Sequence, residues 1–275
     1  MIGAILGDII GSPYEFENHK NKDFPLFSKK SRLTDDSIMT LAIGKAMMET
    51  QREVPLEEGM DYTFIQKLQK NAIFYMQTFG RKYPNCGFGH GFYTWIFSEQ
   101  PKPYNSFGNG AAMRISPIGF FAKSEKEVRL LSKAVTEVTH NHLEGLKGAE
   151  AIAMCIFAGC QGKTKAEIKE IARKYYKMDF TIDEIRPRYG FSPTCQDTVP
   201  QSIQCFLESK NFEDAIRIAI SLGGDSDTIG AITGSIAQSY YGVPKELEEK
   251  GLEYLDKDLK VIYMEWKNTI LERKG

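Results

Sequence analysis

Apolar residues recur every three or four positions along most of the chain. Over 37–48 the stripe is Ile38, Leu41, Ala42 and Ala46, and over 62–79 it is Phe64, Ile65, Leu68, Ala72, Tyr75 and Met76. That spacing follows the period of an amphipathic helix. By the same rule helices are predicted over 125–139, 144–160, 165–176, 197–207, 212–222 and 252–271. No β-branched run alternates between turn signals, so no strand is predicted and the chain reads as all-α. The opening Met1-Ile2-Gly3-Ala4-Ile5-Leu6 has the apolarity of a leader peptide. No basic residue precedes it and Asp8 interrupts it, which predicts a buried first helix instead.

The connections carry the glycine and proline. Segment 18–31 is polar and basic, with Lys20, Lys22, Lys29 and Lys30; 84–91 and 101–110 are glycine-rich, and 186–193 is a further break. None is long or biased enough to be an interdomain linker, so one compact helical domain over 1–275 is expected. Hydrophobic residues make up 42% and charged residues 26%, ordinary for a soluble globular chain. Thirty-five basic residues face 36 acidic ones, for a net charge of −1, which argues against nucleic acid or an anionic membrane as the main partner. Charges interrupt every apolar run before the ~20 residues that a membrane span requires. The five cysteines include no C-x-x-C pair, so neither a zinc ribbon nor a disulfide framework is indicated. Reduced thiols in a cytoplasmic protein are expected.

Two segments share one chemistry. Leu33-Thr34-Asp35-Asp36-Ser37 and Gly223-Gly224-Asp225-Ser226-Asp227-Thr228 each set two carboxylates and a threonine hydroxyl at a helix start. Capping accounts for one acid at each start, because first-turn amides lack partners and the helix dipole favours negative charge there. The functional reading is that both pairs converge on hard cations. Carboxylate and hydroxyl oxygens suit Mg2+ or Mn2+, whereas zinc would want histidine or cysteine. A carboxylate shared between two such ions needs ligands from separate elements meeting at one point. After Asp227, the small residues Gly230, Ala231, Gly234, Ser235 and Ala237 let that helix approach its neighbours closely.

Other segments are less specific. Gly11 and Pro13 end the first helix, so Tyr14 and Glu15 emerge from a tight turn. Asn105-Ser106-Phe107-Gly108-Asn109-Gly110 resembles an anion cradle, although its spacing is neither a P-loop nor a dinucleotide fingerprint. Gly87-Phe88-Gly89-His90-Gly91 sets an aromatic between glycines, which suits the border of a flat ligand. In Thr139-His140-Asn141-His142 the two histidines are too close to share a helix face. Plain turns and solvated or capping histidines account for these segments as well.

Taken together and in order, these segments resemble the ADP-ribosylglycohydrolase family. The carriers are Gly7-Asp8-Ile9-Ile10-Gly11 with Glu15, Thr34-Asp35-Asp36, Gly108-Asn109-Gly110 with Met113-Arg114, Thr139-His140, Asp197-Thr198-Val199-Pro200, and Gly223 through Gly230. The resemblance spans 7 to about 244. It implies a single compact, orthogonal all-α bundle around two divalent cations, Mg2+ or Mn2+. The ligands it implies are Thr34, Asp35, Asp36, Asp225, Asp227 and Thr228, with Asp227 as the bridge. Glu15 matches the acid beside the metals and the scissile bond; Ser106, Phe107, Gly108 and Asn109 match the loop that wraps a diphosphate, and His140 matches a histidine lining the cleft. Phe107 stands where some members carry tyrosine. The implied activity is hydrolysis of the glycosidic bond between ADP-ribose and a modified side chain, arginine-linked in first place, with Glu15, Asp36 and Asp227 as the catalytic acids. The partner would be an ADP-ribosylated protein or a small ADP-ribose conjugate, bound by a monomer, with no role for membrane or nucleic acid. A non-catalytic ADP-ribose-binding relative and a metal-dependent nucleotide-diphosphate phosphohydrolase are the alternatives.

Overall fold

A computed structural model describes residues 1–54 and 60–274. These residues form α1 (Ile2–Gly11), α2 (Asp35–Glu53), α3 (Tyr62–Lys82), α4 (His90–Phe97) and α5 (Gly110–Met113). There follow α6 (Ser116–Phe121), α7 (Glu125–Glu137), α8 (Leu143–Cys160), α9 (Lys165–Arg173) and α10 (Ile182–Ile185). The chain closes with α11 (Cys195–Glu208), α12 (Phe212–Leu222), α13 (Ser226–Tyr241), α14 (Lys245–Leu252) and α15 (Lys257–Lys274). Among the described residues the fold is all-α, and the one β-bridge, Gly108 to Thr194, joins two loops. No described helix is long and apolar enough to cross a membrane.

Helix starts follow side chains that take up otherwise unpaired amides. Asp61 accepts from Phe64 N at 2.8 Å at the head of α3, and Thr164 and Glu167 form a reciprocal capping box on α9. The same chemistry divides the helix predicted over 252–271. The Asp256 carboxylate accepts from Leu259 N at 2.9 Å and starts α15 afresh, four residues beyond the end of α14. A helix that the pattern did not predict also begins at the end of the glycine-rich segment 84–91. In α4, Phe92, Trp95 and Ile96 are buried, and Gln77 and Arg81 of α3 donate to its last carbonyls. That contact satisfies a short helix end that would otherwise be unpaired.

The arrangement that positions the site is the pairing of α1 with α13. Every residue of α1 is buried. Its glycines, four apart, share one face, and that face meets the backbone of α13. A Cβ on Gly3 would lie 2.2 Å from Gly234 O, one on Gly7 2.0 Å from Gly230 O, and one on Gly11 2.5 Å from Asp227 Cα. These pairings make the two helices antiparallel, so the end of α1 lies at the start of α13. Helices α2, α12 and α14 also pack against α1.

Candidate functional site

The head of α2 is tied to α1 by a buried carboxylate. Asp8 accepts from Thr34 N at 3.0 Å, Thr34 Oγ1 at 2.7 Å and Ser37 N at 3.1 Å, and from Ser37 Oγ. It caps α2 from a neighbouring helix and leaves the two acids of that first turn free to face elsewhere. The hydroxyl proton of Thr34 goes to Asp8, and the Thr34 oxygen accepts from Asp36 N at 3.4 Å. The heads of α2 and α13 then touch directly, with Thr228 Oγ1 donating to Asp36 Oδ2 at 3.3 Å. The turn after α1 adds Glu15, and one oxygen each of Glu15, Asp225 and Asp227 lie within 4.8 Å of one another. Asn109, at the start of α5, donates to Asp225 Oδ2 at 2.6 Å and to Thr198 Oγ1 at 3.2 Å.

Crowding these acids together shifts their titration. Burial raises all of them, and for Glu15, Asp35, Asp36 and Asp227 repulsion from neighbouring acids adds to it. Glu15 is pushed up to about 7 by burial and by Asp225, and Asp35 to about 8 by burial and by Asp8. Asp36 and Asp227 are raised well above the ordinary carboxylate range, by burial first and then by neighbouring acids. Asp36 Oδ1 is buried and accepts no hydrogen bond. An oxygen-only donor set that includes a buried, unpaired carboxylate oxygen fits a hard divalent cation.

The acids form one wall of a cavity of about 260 Å3. Glu15, Asp35, Asp36, Asp225, Asp227 and Thr228 line it, and so do Ser106, Gly108, Asn109 and His140. The cradle is anchored to the segment before α11, with Asn109 N donating to Pro193 O at 2.8 Å and Cys195 N to Phe107 O at 3.0 Å. Two of the residues singled out from the sequence stand apart from this lining. Thr34 lies behind the acids with its hydroxyl on Asp8, and the Phe107 ring is exposed, 5.3 Å from the ring of His142. His142 itself caps α8 by accepting from Glu144 N at 3.1 Å.

Several site residues escaped sequence reasoning. Asp8 reads in the sequence as an interruption of an apolar run; the available signal was that a charge inside a wholly buried helix must have partners. Gly87, Gly89, His90 and Gly91 line the cavity, so the weak glycine-aromatic segment does border it. Tyr104 and Phe191 line it too, with nothing in their local sequence to mark them, and so does Arg114, which the sequence marked only as part of a motif and gave no role.

A family model described as ADP-ribosylglycohydrolase matches residues 1–269. ADP-ribosylhydrolase ARH3 of Homo sapiens is 23% identical over 339 residues, covering 94% of this chain and 90% of its own length. ADP-ribosylarginine hydrolase Tri1 of Pseudomonas putida (strain GB-1) is 27% identical over 154 residues, covering 52% of this chain and 42% of its own. The solved structure of an ADP-ribosylglycohydrolase-related protein complex shares the fold. Its TM-score is 0.62 at 20% identity, over 95% of this chain and 94% of that one.

Proposed function

Since the chain belongs to the ADP-ribosylglycohydrolase family, we propose that it is a divalent-cation-dependent hydrolase. It cleaves the glycosidic bond between ADP-ribose and a modified arginine side chain of a protein or small conjugate, releasing ADP-ribose. The observation that carries this reading is the meeting of both acid-bearing helix heads and Glu15 on one cavity, with Asp36 Oδ1 left unpaired. Thr34, Asp35, Asp36, Asp225, Asp227 and Thr228 are the oxygen donors that would hold two divalent cations, Mg2+ or Mn2+. Such ions polarise bound sugar oxygens and lower the pKa of a bound water.

The chain's own residues do the rest. Glu15 receives the proton of the attacking water. Its carboxyl, pushed up to about 7, lies in the range where a carboxylate is an effective base at neutral pH. Ser106, Gly108 and Asn109, which line the cavity, grip the diphosphate, and His140 lines the cleft beside them. Binding energy from that remote group holds the anomeric carbon against the acids. Asn109 couples the two halves, since its amide also fixes Asp225. Preference for an arginine linkage is supported by the Pseudomonas putida relative, whose name specifies that linkage.

The test is incubation of the purified protein with arginine-linked and serine-linked ADP-ribosyl peptides, each with Mg2+, Mn2+ or EDTA. Free ADP-ribose from the arginine-linked peptide with cation, and none with EDTA, is the expected result. Release from neither peptide would reject the reading, and AMP as the product would point to phosphohydrolysis instead.

A further inference from the structure

Beneath the cradle side of the cavity lies a buried charge that the reading above does not use. Arg114, which follows α5, is 1% exposed. Its Nη2 donates to Thr139 Oγ1 at 2.6 Å and stands 3.4 Å from His140 Nδ1. The guanidinium lies 5.3 Å from the ring centroid of Phe92, and its Nε is buried with no hydrogen-bond partner. Among the described residues Arg114 forms no ion pair with a carboxylate. A guanidinium held this way, without a counter-charge, is costly to bury.

What that arrangement does is choose a tautomer. A guanidinium has donors only, so the ring nitrogen it faces must offer a lone pair. A neutral imidazole carries one proton, which then sits on Nε2. Thr139 agrees with this assignment, because its Oγ1 accepts from Arg114 and stands 2.7 Å from Nδ1, to which it can donate. Nε2 points at the cradle: a Cβ would lie 3.4 Å from it on Gly110 and 3.6 Å from it on Gly108. Both positions are bare, and both line the cavity. The opposite assignment would have Nδ1–H donate to Thr139 while Thr139 donates onward to Thr136 O at 3.3 Å. It would set an N–H dipole against the guanidinium. Burial and Arg114 both lower the His140 pKa well below the usual histidine range, which keeps the ring neutral.

We propose that Arg114 is a positioning residue. Together with Thr139 it fixes His140 as the Nε2–H tautomer, a neutral donor aimed at a diphosphate oxygen in the Ser106–Gly110 loop, and its own unpaired charge draws that anion in. The ligand part rests on the function proposed above, while the tautomer part does not.

The experiment uses the full chain labelled with 15N-histidine, with His140 assigned by its loss in His140→Gln. Two-bond 1H–15N correlation at neutral pH should show the Nε2–H pattern for His140. Titration with inorganic pyrophosphate, and separately with ADP-ribose, should move the Nε2 resonance. Arg114→Met should lose the tautomer preference and weaken ADP-ribose binding by about 10-fold or more, and Arg114→Lys, which retains a cationic donor, should recover part of both. An Nδ1–H pattern or an imidazolium for His140 in the wild type overturns the proposal. An Nε2 resonance that neither ligand moves, while calorimetry shows ADP-ribose bound, also overturns it. If pyrophosphate moves Nε2 but no ADP-ribosyl peptide is hydrolysed, the enzymatic reading falls and this inference stands.

Discussion

Adding one methyl group to the first helix should damage both stability and the site. In Gly7→Ala the new Cβ would lie 2.0 Å from Gly230 O and 2.1 Å from Gly230 C, where 3.4 Å is ordinary contact. The obstacle is main chain, so no rotamer change relieves it. The two helices must part by about 1.4 Å, the difference between 3.4 and 2.0 Å, or lose the clash by local distortion. Overpacking of this kind costs about 1–3 kcal/mol where neighbours can adjust, and a backbone obstacle belongs at or above the upper end. The separation also moves Asp8 and the Glu15 turn away from Asp225 and Asp227, since α1 carries the first pair and α13 the second. Urea unfolding monitored by circular dichroism gives the stability change, and ADP-ribose release at saturating Mg2+ gives the activity change. Gly190→Ala is the control, because nothing lies within 4 Å of a Cβ there. A Gly7→Ala protein within about 0.5 kcal/mol of wild type would refute the direct backbone contact.

Asp36→Asn and Asp227→Asn should each lower turnover by more than about 100-fold at saturating cation, the scale of several kcal/mol of lost transition-state stabilisation; wild-type-like release of ADP-ribose by either would remove the binuclear mechanism. The metal-free protein should lose stability as pH rises. Folded Glu15 and Asp35 keep their protons to about 7 and about 8, against roughly 4 for both in an unfolded chain. The folded state therefore binds more protons across that window, and its advantage, full at low pH, fades as pH climbs through the folded values. In EDTA the Tm should fall between about pH 5 and pH 8.5, with Mg2+ restoring it most at the upper end; a Tm indifferent to pH rejects the argument. Lys20→Met should cost about 1–3 kcal/mol by leaving carbonyls unpaired, because Lys20 Nζ donates to Tyr189 O and Leu222 O, both at 2.6 Å. The same change should raise KM by loosening Phe191 on the cavity wall, and unchanged melting together with unchanged KM would show that the lysine anchors nothing.

Periodicity made the long helices legible. Helix α12 occupies the predicted 212–222, and α2, α3, α7 and α8 lie over their predicted stripes. What failed was punctuation. The pattern over 252–271 hid the Asp256 cap, because one carboxylate can start a helix without disturbing the apolar spacing around it. Short helices such as α4 and α6 hold too few residues to show a period, and they exist because neighbours bury and pair them. The two acid clusters stood out in the sequence because paired carboxylates exceed what a cap needs. Their convergence was expected there as the functional reading, but the means was not visible, since it depends on Asp8 and on glycines that bring separate helices together. Arg114 illustrates the harder case: its meaning lies in Thr139 and His140 and in Phe92, residues from two other parts of the chain.

The contact of α1 with α13 has a further consequence for how this protein can be altered. Where side chains mediate between helices, trading one for another tunes their distance in small steps. Here two peptide ribbons lie flush, and the interval between them is already at its floor. Substitution at Gly3, Gly7 or Gly11 can only widen it, so the aperture between Glu15 and Asp227 behaves as a fixed gauge. Designers who want another cation or a different sugar in this protein should change what the acids are, and leave the distance between their carriers alone.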